Sequence, residues 1–187
     1  MDAERISVHL KVVNQPGADL NPIVQELSDA QQLYFKAEVG ISLASIERID
    51  VPGMDEVEVG SCPAARKHEL TTEQAKLFEH RNFVRPSEIV IYVVKGIVAS
   101  RDGVLGCANH PAGRPGLIMR HTPTNRWTMA HELGHVLGLS HPDCIFEQCL
   151  PWHDNLMWPD DSKLSKPQPD LTATQKAIMY LSPYTNS

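Results

Sequence analysis

The sequence predicts a single α/β domain. Its 187 residues are enough for one compact core but short for two ordinary domains. Segments in which apolar residues alternate with polar ones are followed by segments with helical periodicity, and Pro and Gly fall between these segments rather than in one long linker. Strands and helices that alternate in one folding unit are typical of a sheet covered by helices.

The first third of the chain predicts a strand, a helix and a strand. Residues 5–13 alternate apolar and polar side chains, which indicates a strand with one buried face. Asn21 and Pro22 suit the N-cap and the first turn of a helix whose apolar positions continue to Tyr34. Residues 41–51 alternate again, so we expect a second strand that ends at the following Pro-Gly pair.

The middle of the chain predicts a further helix and the rest of the sheet. Thr71 and Gln74 have the spacing of a capping box at a helix start. Residues 89–98 form an almost continuous β-branched run, which predicts a central strand covered on both faces. Residues 103–119 resemble two short strands around a Pro/Gly loop, an arrangement typical of a sheet edge.

The charge balance and the apolar runs argue against two classes of partner. Seventeen Lys and Arg against twenty-three Asp and Glu give a formal charge of −6, which does not favour a basic surface for nucleic acid or anionic lipid. The apolar runs are too short to span a membrane, and residues 1–11 lack the pattern of a signal peptide. We therefore expect no nucleic-acid or membrane partner.

The four cysteines leave several alternatives open. Cys144 and Cys149 are compatible with a local disulfide or with two free thiols, and Cys62 and Cys107 with a disulfide or with two buried apolar side chains. A second zinc site built from Cys144, Cys149 and His153 matches no common ligand spacing. The cysteines do not identify the compartment.

Residues 128–141, TMAHELGHVLGLSH, carry the strongest functional signal. On a helix, His131 and His135 lie on one face about 6 Å apart along the axis, so both imidazoles can bind one metal ion. Glu132 lies beside the pair but points away from it. Its carboxylate can therefore act on a metal-bound water as a general base instead of binding the metal.

A third ligand requires the helix to end. If it continued, His141 would lie about 240° around the axis from His135 and could not reach the same ion. Gly138 suits a helix end because glycine adopts the left-handed conformation without steric cost. Three imidazoles leave the fourth position of Zn²⁺ for water, as in a catalytic rather than a structural site. We expect one zinc ion.

The segment HELGHVLGLSH resembles the HExxHxxGxxH signature of the metzincin zinc endopeptidases. The downstream segment NLMWP resembles the Met-turn of that family, with Met157 as the matching methionine. The glycine-histidine pattern and Pro159 look like matrixins. Met157 follows His141 by sixteen positions, and this segment, which includes two cysteines, is more similar to adamalysin-like or pappalysin-like members. The subfamily stays open.

The resemblance implies a particular version of the α/β fold. It predicts a twisted, mostly parallel five-stranded sheet with long helices, then the zinc-binding helix and a small irregular C-terminal subdomain. Residues 1–187 would form one catalytic domain divided into subdomains 1–140 and 141–187. Thr172 and Gln175 have capping-box spacing and resemble the start of the terminal helix of the family.

The resemblance also implies an activity. The protein would be a monomeric zinc endopeptidase in which His131, His135 and His141 bind the metal, Glu132 is the general base and Met157 forms a packed floor. A protein or peptide substrate would lie extended along the edge strand and reach a pocket near the Met-turn. The residues predicted to contact it are Leu105, Gly106, Cys107, Ala108, Trp158 and Pro159.

Two rival functions and the location of the protein stay open. The first rival is a zinc-binding recognition module, which would keep the fold without turnover, although the intact Glu132 argues against it. The second is an enzyme that hydrolyses a non-peptide amide. The resemblance implies secretion, whereas Met1 as the native start would imply the cytoplasm. His110, His121 and His153 are interpreted as structural rather than ligating residues.

Overall fold

The computed structural model describes residues 4–62, 69–100, 103–121, 125–142, 154–159 and 168–185. The strands are β1 (Glu4–Val13), β2 (Val39–Ile49), β3 (Glu56–Gly60), β4 (Ile89–Val94), β5 (Gly96–Ala99), β6 (Gly106–Cys107) and β7 (Gly116–Arg120). The helices are α1 (Asn21–Phe35), α2 (Thr72–Leu77), α3 (Thr128–Val136) and α4 (Ala173–Tyr180). No helix within these ranges is long and apolar enough to span a membrane.

Five strands form the main sheet, in the order β2-β1-β4-β7-β6. All neighbouring pairs are parallel except β6 and β7, which pair antiparallel at one edge. The predicted α/β class with a mostly parallel five-stranded sheet is therefore confirmed. All six residues of β4 are buried, as expected for a parallel strand with both faces covered.

The core lies on both faces of this sheet. Alternate residues of β1, including Ile6 and Leu10, are buried in a cluster with apolar side chains of α1 and α3. On the other face, Tyr92 of β4 packs edge to face against Phe78, the residue that ends α2. Helix α3, which carries the histidine motif, is thus held on one face of the sheet.

The prediction of one strand over residues 89–98 is wrong. The run is interrupted at exposed Lys95, and β5 leaves the main sheet to pair in parallel with β3 in a separate two-stranded sheet. Gly96 permits this change of partner because a Cβ there would lie 2.9 Å from Cγ of Glu56. An apolar β-branched run indicates strand conformation but does not identify the sheet that it joins.

Two further boundaries differ from the prediction. β2 occupies Val39–Ile49 instead of residues 41–51, and its register against β1 slips by one residue at Ala44, between the pairs Val8–Leu43 and His9–Ser45. Asn21 lies inside the first turn of α1 rather than at its N-cap. Leu20 takes the N-cap position, and the Asn21 N–H donates to Oδ1 of Asp19.

Both capping boxes are confirmed. In α2 the Thr71 hydroxyl accepts from the Gln74 N–H, while the Gln74 side chain accepts from the Thr71 N–H. Thr172 and Gln175 make the same pair of hydrogen bonds at the start of α4. In these two helices the sequence pattern indicates the start correctly because the bonds are local.

Cys62 and Cys107 form a disulfide, which resolves one of the alternatives that the sequence leaves open. The bond joins the segment after β3 to the edge strand β6, across 45 positions of sequence. The proposed local pair Cys144–Cys149 and His153 lie outside the described residues.

Candidate metal centre

The three histidines of the motif converge at the end of α3. The helix ends at Val136, and Gly138 adopts φ +110°. The Gly138 N–H donates to the His135 carbonyl and the Leu139 N–H to the Gly134 carbonyl, which is the hydrogen-bond pattern of a Schellman helix end. The chain reverses there as predicted, and His141 returns toward the helix.

The geometry of the three imidazoles fits a tetrahedral metal ion. Each Nε2 of His131, His135 and His141 lies 3.1 Å from the other two. Three nitrogens bound to tetrahedral Zn²⁺ at about 2.0–2.1 Å would lie about 3.3 Å apart. The observed spacing is therefore close to that of three zinc ligands with a fourth coordination position left over.

The protonation of the rings agrees with this. Nδ1 of His131 lies 2.8 Å from the carbonyl oxygen of Leu156, and Nδ1 of His135 lies 2.9 Å from that of Leu139. A carbonyl oxygen can only accept, so each Nδ1 carries a proton, and in the neutral imidazole Nε2 is then the nitrogen with the lone pair. Lone pairs that face each other at 3.1 Å repel, and a cation between them removes this repulsion.

Glu132, which follows His131 in α3, lies against the sheet edge. It is 8% exposed. A Cβ at Gly106 would lie 2.6 Å from Cγ of Glu132 and 3.0 Å from its Oε1. The absence of a side chain at Gly106 therefore lets β6 approach the carboxylate closely.

The residues predicted to contact substrate are divided between two places. On β6 and its flanks, Gly106, Cys107 and Ala108 are buried and Leu105 is half-buried; Gly106 brings this strand against Glu132. The others, half-buried Trp158 and exposed Pro159, follow Met157 beneath α3. The structure thus brings the edge strand against the side chain of the predicted base.

Met157 is fully buried against the underside of α3. A Cβ at Gly134 would lie 2.6 Å from its sulfur, so the close packing of this methionine requires glycine in the middle of the helix. The Met157 N–H donates to Oδ1 of Asn155 and the Trp158 N–H donates to the Asn155 carbonyl. Residues 155–158 thus form a tight turn, and the carbonyl at its second position, Leu156, is the one that faces His131.

Polar residues of α1 hold the start of α3, and sequence reasoning missed them. A carboxylate oxygen of Glu26 accepts from the Met129 N–H, and Tyr34 donates to the Ala130 carbonyl at 2.7 Å. Asp29 accepts two hydrogen bonds from the Arg126 guanidinium, at 2.5 and 2.7 Å. Hydrogen bonding to Arg126 lowers the pKa of Asp29, although burial opposes it. The available signal was an acidic pair at i and i+3 within the apolar spacing of α1.

Two histidines outside the motif have other surroundings. Nδ1 of His110 lies 3.0 Å from the Pro111 carbonyl oxygen, and the His110 ring packs edge to face against Tyr184. Nε2 of His121 lies 2.7 Å from the carbonyl oxygen of Asp19. Among the described residues, the cluster with the ligand geometry of a metal site is His131, His135 and His141.

Comparison with known proteins identifies the fold but no sequence family. No protein-family model and no curated protein sequence matches the chain. The crystal structure of metalloproteinase-II from Bacteroides fragilis matches with a TM-score of 0.61 and 16% identity, covering 95% of this chain and 52% of that one. The chain therefore spans about half the length of that protein.

A second structure matches over nearly its whole length. The crystal structure of archaemetzincin from Methanopyrus kandleri has a TM-score of 0.58 and 12% identity, with 94% of both chains covered. At such low identities the two likenesses show that the chain shares the fold of these proteins.

Proposed function

We propose that the protein is a zinc-dependent peptidase. The observation that carries the proposal is the set of three Nε2 atoms, each 3.1 Å from the other two, on a helix that also holds buried Glu132 next to His131. The shared fold with a metalloproteinase and an archaemetzincin supports the same class. Neutral imidazoles are suitable zinc ligands, and the leftover position is what a catalytic site requires.

In the proposed mechanism the three histidines hold the ion and Glu132 moves the proton. When bound, zinc supplies Lewis acidity at the substrate carbonyl and lowers the pKa of water. A carboxylate oxygen of Glu132 accepts the proton of the attacking water and passes it to the nitrogen of the leaving amine. The carbonyls of Leu156 and Leu139 keep the rings of His131 and His135 in the tautomer that leaves Nε2 available.

The edge strand β6 is the proposed binding place for substrate. Among the described strands, β6 pairs with β7 on one side, so its other edge can bond to an extended peptide main chain. Because Gly106 contacts Glu132, a peptide on that edge would have its main chain near the proposed base. This supports a peptide rather than a non-peptide amide as substrate.

The finer assignment is also part of the proposal. We infer that the turn at residues 155–158 is a Met-turn and that the chain is of metzincin type, with residues 1–140 and 141–187 as its two subdomains. The support is the position of Met157 beneath Gly134 and the bond from the same turn to His131. Trp158 and Pro159 are kept as candidate substrate contacts beside this turn.

The proposal is tested by measuring zinc content and cleavage of an unfolded protein in the same samples. Wild type should bind about one zinc per chain and cleave the substrate, and a chelator should abolish cleavage. Glu132→Ala should keep its zinc and lose roughly 10²–10⁴-fold in rate, because it removes the base and no ligand. His141→Ala should lose most of the zinc, because two histidines leave too few protein ligands.

Each alternative has its own result. Stoichiometric zinc without any cleavage would favour the recognition module, and cleavage of a small amide but not of peptides would favour the amidase. Full activity in Glu132→Ala would remove this residue from the mechanism. A wild-type chain that binds no zinc after reconstitution would overturn the proposal.

A further inference from the structure

Two amide side chains 20 positions apart form a closed hydrogen-bonded pair below the metal centre. Asn155 Nδ2 donates to Gln175 Oε1 at 2.8 Å, and Gln175 Nε2 donates to Asn155 Oδ1 at 2.9 Å. Each amide therefore gives one bond and receives one bond within the pair. Backbone donors fix which end carries the oxygen, because the Met157 N–H donates to Asn155 Oδ1 and the Thr172 N–H donates to Gln175 Oε1. Asn155 is 4% exposed, so its polar atoms depend on partners within the protein.

Asn155 passes this orientation to the turn that contacts the metal centre. Its Oδ1, which accepts from Gln175 Nε2, also accepts the Met157 N–H at 2.9 Å. The same residue closes the turn through its backbone carbonyl. Leu156 lies inside the turn that these two bonds close, and its carbonyl oxygen is 2.8 Å from Nδ1 of His131. The direction of that carbonyl therefore depends on the side chain of Asn155.

Gln175 is itself anchored on the first turn of α4. Its Oε1 accepts from the Thr172 N–H at 2.9 Å, and its own N–H donates to the Thr172 hydroxyl at 3.1 Å. The side-chain amide thus has two separable roles, one in capping the helix and one in holding Asn155. The capping role needs an acceptor oxygen alone, whereas the bond to Asn155 Oδ1 needs the NH₂ group.

We propose that Gln175 is a positioning residue for the metal centre and acts on His131 through Asn155 and the Leu156 carbonyl. The inference rests on the proposed metal-binding function. Partners that orient a metal-bound histidine typically affect metal affinity by 10- to 100-fold. The chain of bonds here is one step longer, so we expect an effect at the lower end of that range, about tenfold.

The test separates the two roles of the amide with a matched pair of variants. Gln175→Glu keeps an oxygen for the helix cap but puts a carboxylate oxygen against Asn155 Oδ1, where the NH₂ group was. Thr172→Ala does the reverse, because it removes the hydroxyl of the cap and leaves the amide pair intact. We would measure the zinc dissociation constant by competition with a chromophoric chelator, the cobalt(II) absorption spectrum, and the thermal midpoint of the metal-free protein.

The expected results are opposite for the two variants. Gln175→Glu should weaken zinc binding about tenfold and shift the cobalt spectrum, with a thermal midpoint no lower than that of Thr172→Ala. Thr172→Ala should lower the midpoint and keep the zinc dissociation constant within about twofold of wild type. Equal zinc affinity in Gln175→Glu and wild type would overturn the inference, as would an equal loss in both variants.

A double variant tests the route through Asn155. If Gln175 acts through Asn155, then Asn155→Ala combined with Gln175→Glu should bind zinc as tightly as Asn155→Ala alone. A further loss in the double variant would show another route and overturn the assignment. These outcomes are distinct from failure of the proposed function, in which wild type itself would bind no zinc.

Discussion

At the scale of single residues, two glycines let other elements pack against the motif helix. A Cβ at Gly106 would lie 2.6 Å from Glu132 Cγ, and a Cβ at Gly134 would lie 2.6 Å from the Met157 sulfur. The requirement at these two positions is space. At Gly138, φ +110° makes the requirement one of backbone conformation. Helix α3 can therefore lie close to both β6 and Met157 because Gly106 and Gly134 have no side chain.

Gly106→Ala should reduce hydrolysis without removing the metal. The added methyl group forces Glu132 or β6 to move by a few tenths of an ångström or more, and small displacements of a catalytic group can cost up to about 100-fold in rate. The three heavy atoms nearest to this methyl group all belong to Glu132, which is not a proposed metal ligand, so zinc content should stay at the wild-type level. The measurement is kcat and zinc content for this variant.

Gly17→Ala is the matched control for that variant. A Cβ at Gly17 would meet nothing within 4 Å, so the same chemical change should leave the hydrolysis rate close to that of wild type. If the two variants have equal rates, the contact between β6 and Glu132 does not control the reaction.

At the scale of elements, α1 holds the start of α3, the helix that carries the histidine motif. The N-cap residue of α3 is Trp127, whose side chain makes no capping bond, and Glu26 of α1 bonds to an N–H of the first turn instead. Asp29 of α1, with its side chain 1% exposed, binds the guanidinium of Arg126 through two bonds. The start of α3 is therefore held by another helix in addition to the local bonds of Asn125.

Arg126→Met should destabilise the protein near neutral pH. It leaves the buried Asp29 carboxylate without its cation. Removing one partner of a fully buried ion pair costs about 3–5 kcal/mol of stability. Because Arg126 is exposed, we expect a smaller loss of roughly 1–3 kcal/mol. Arg126→Lys should lose less, because it keeps the charge but not the two-pronged geometry. Urea unfolding of the three proteins at pH 7 measures both losses.

The loss of stability in Arg126→Met should depend on pH. Because Arg126 lowers the pKa of Asp29 in the folded protein, the stabilisation is present above the ordinary carboxyl pKa of about 4. It is lost as the pH falls through the lowered value, where Asp29 takes up a proton in the folded state as well. The difference between wild type and Arg126→Met should therefore shrink as the pH falls below about 4. A difference that stays constant down to the acid limit of the fold would contradict this origin.

Local patterns predicted the elements of this chain better than their partners. β1, the capping boxes of α2 and α4, and the end of α3 at Gly138 follow from interactions within a few residues. The sequence did not indicate the short strand β3, nor that β5 would leave the main sheet to join it, because both depend on a pairing across about 40 positions. The same limit applies to the site: the spacing of the motif predicted the convergence of three histidines, whereas the pair Asn155–Gln175 is visible only in three dimensions.

At the scale of the whole molecule, the disulfide connects the segment after β3 to the edge of the main sheet beside the proposed site. β6 is two residues long and pairs with Met119 and Ile118 of β7, a short ladder for a strand that contacts Glu132. The bond between Cys107 of β6 and Cys62 adds a covalent connection to the segment that follows β3. The position of the proposed substrate edge therefore depends on the packing of the small sheet as well as on the main sheet.

The double variant Cys62→Ala/Cys107→Ala should separate stability, metal binding and turnover. Loss of a disulfide that spans 45 positions should lower the free energy of unfolding by about 2–4 kcal/mol, because the unfolded chain regains the freedom of that loop. Zinc affinity should stay within about twofold of wild type, because the three histidines lie on α3 and the turn that follows it. Hydrolysis should fall more than zinc affinity, since β6 loses its covalent connection next to Glu132. Denaturant unfolding, zinc competition and kcat on the same preparation measure the three effects. A loss of zinc affinity as large as the loss of turnover would show that the disulfide supports the metal centre itself rather than the proposed substrate edge.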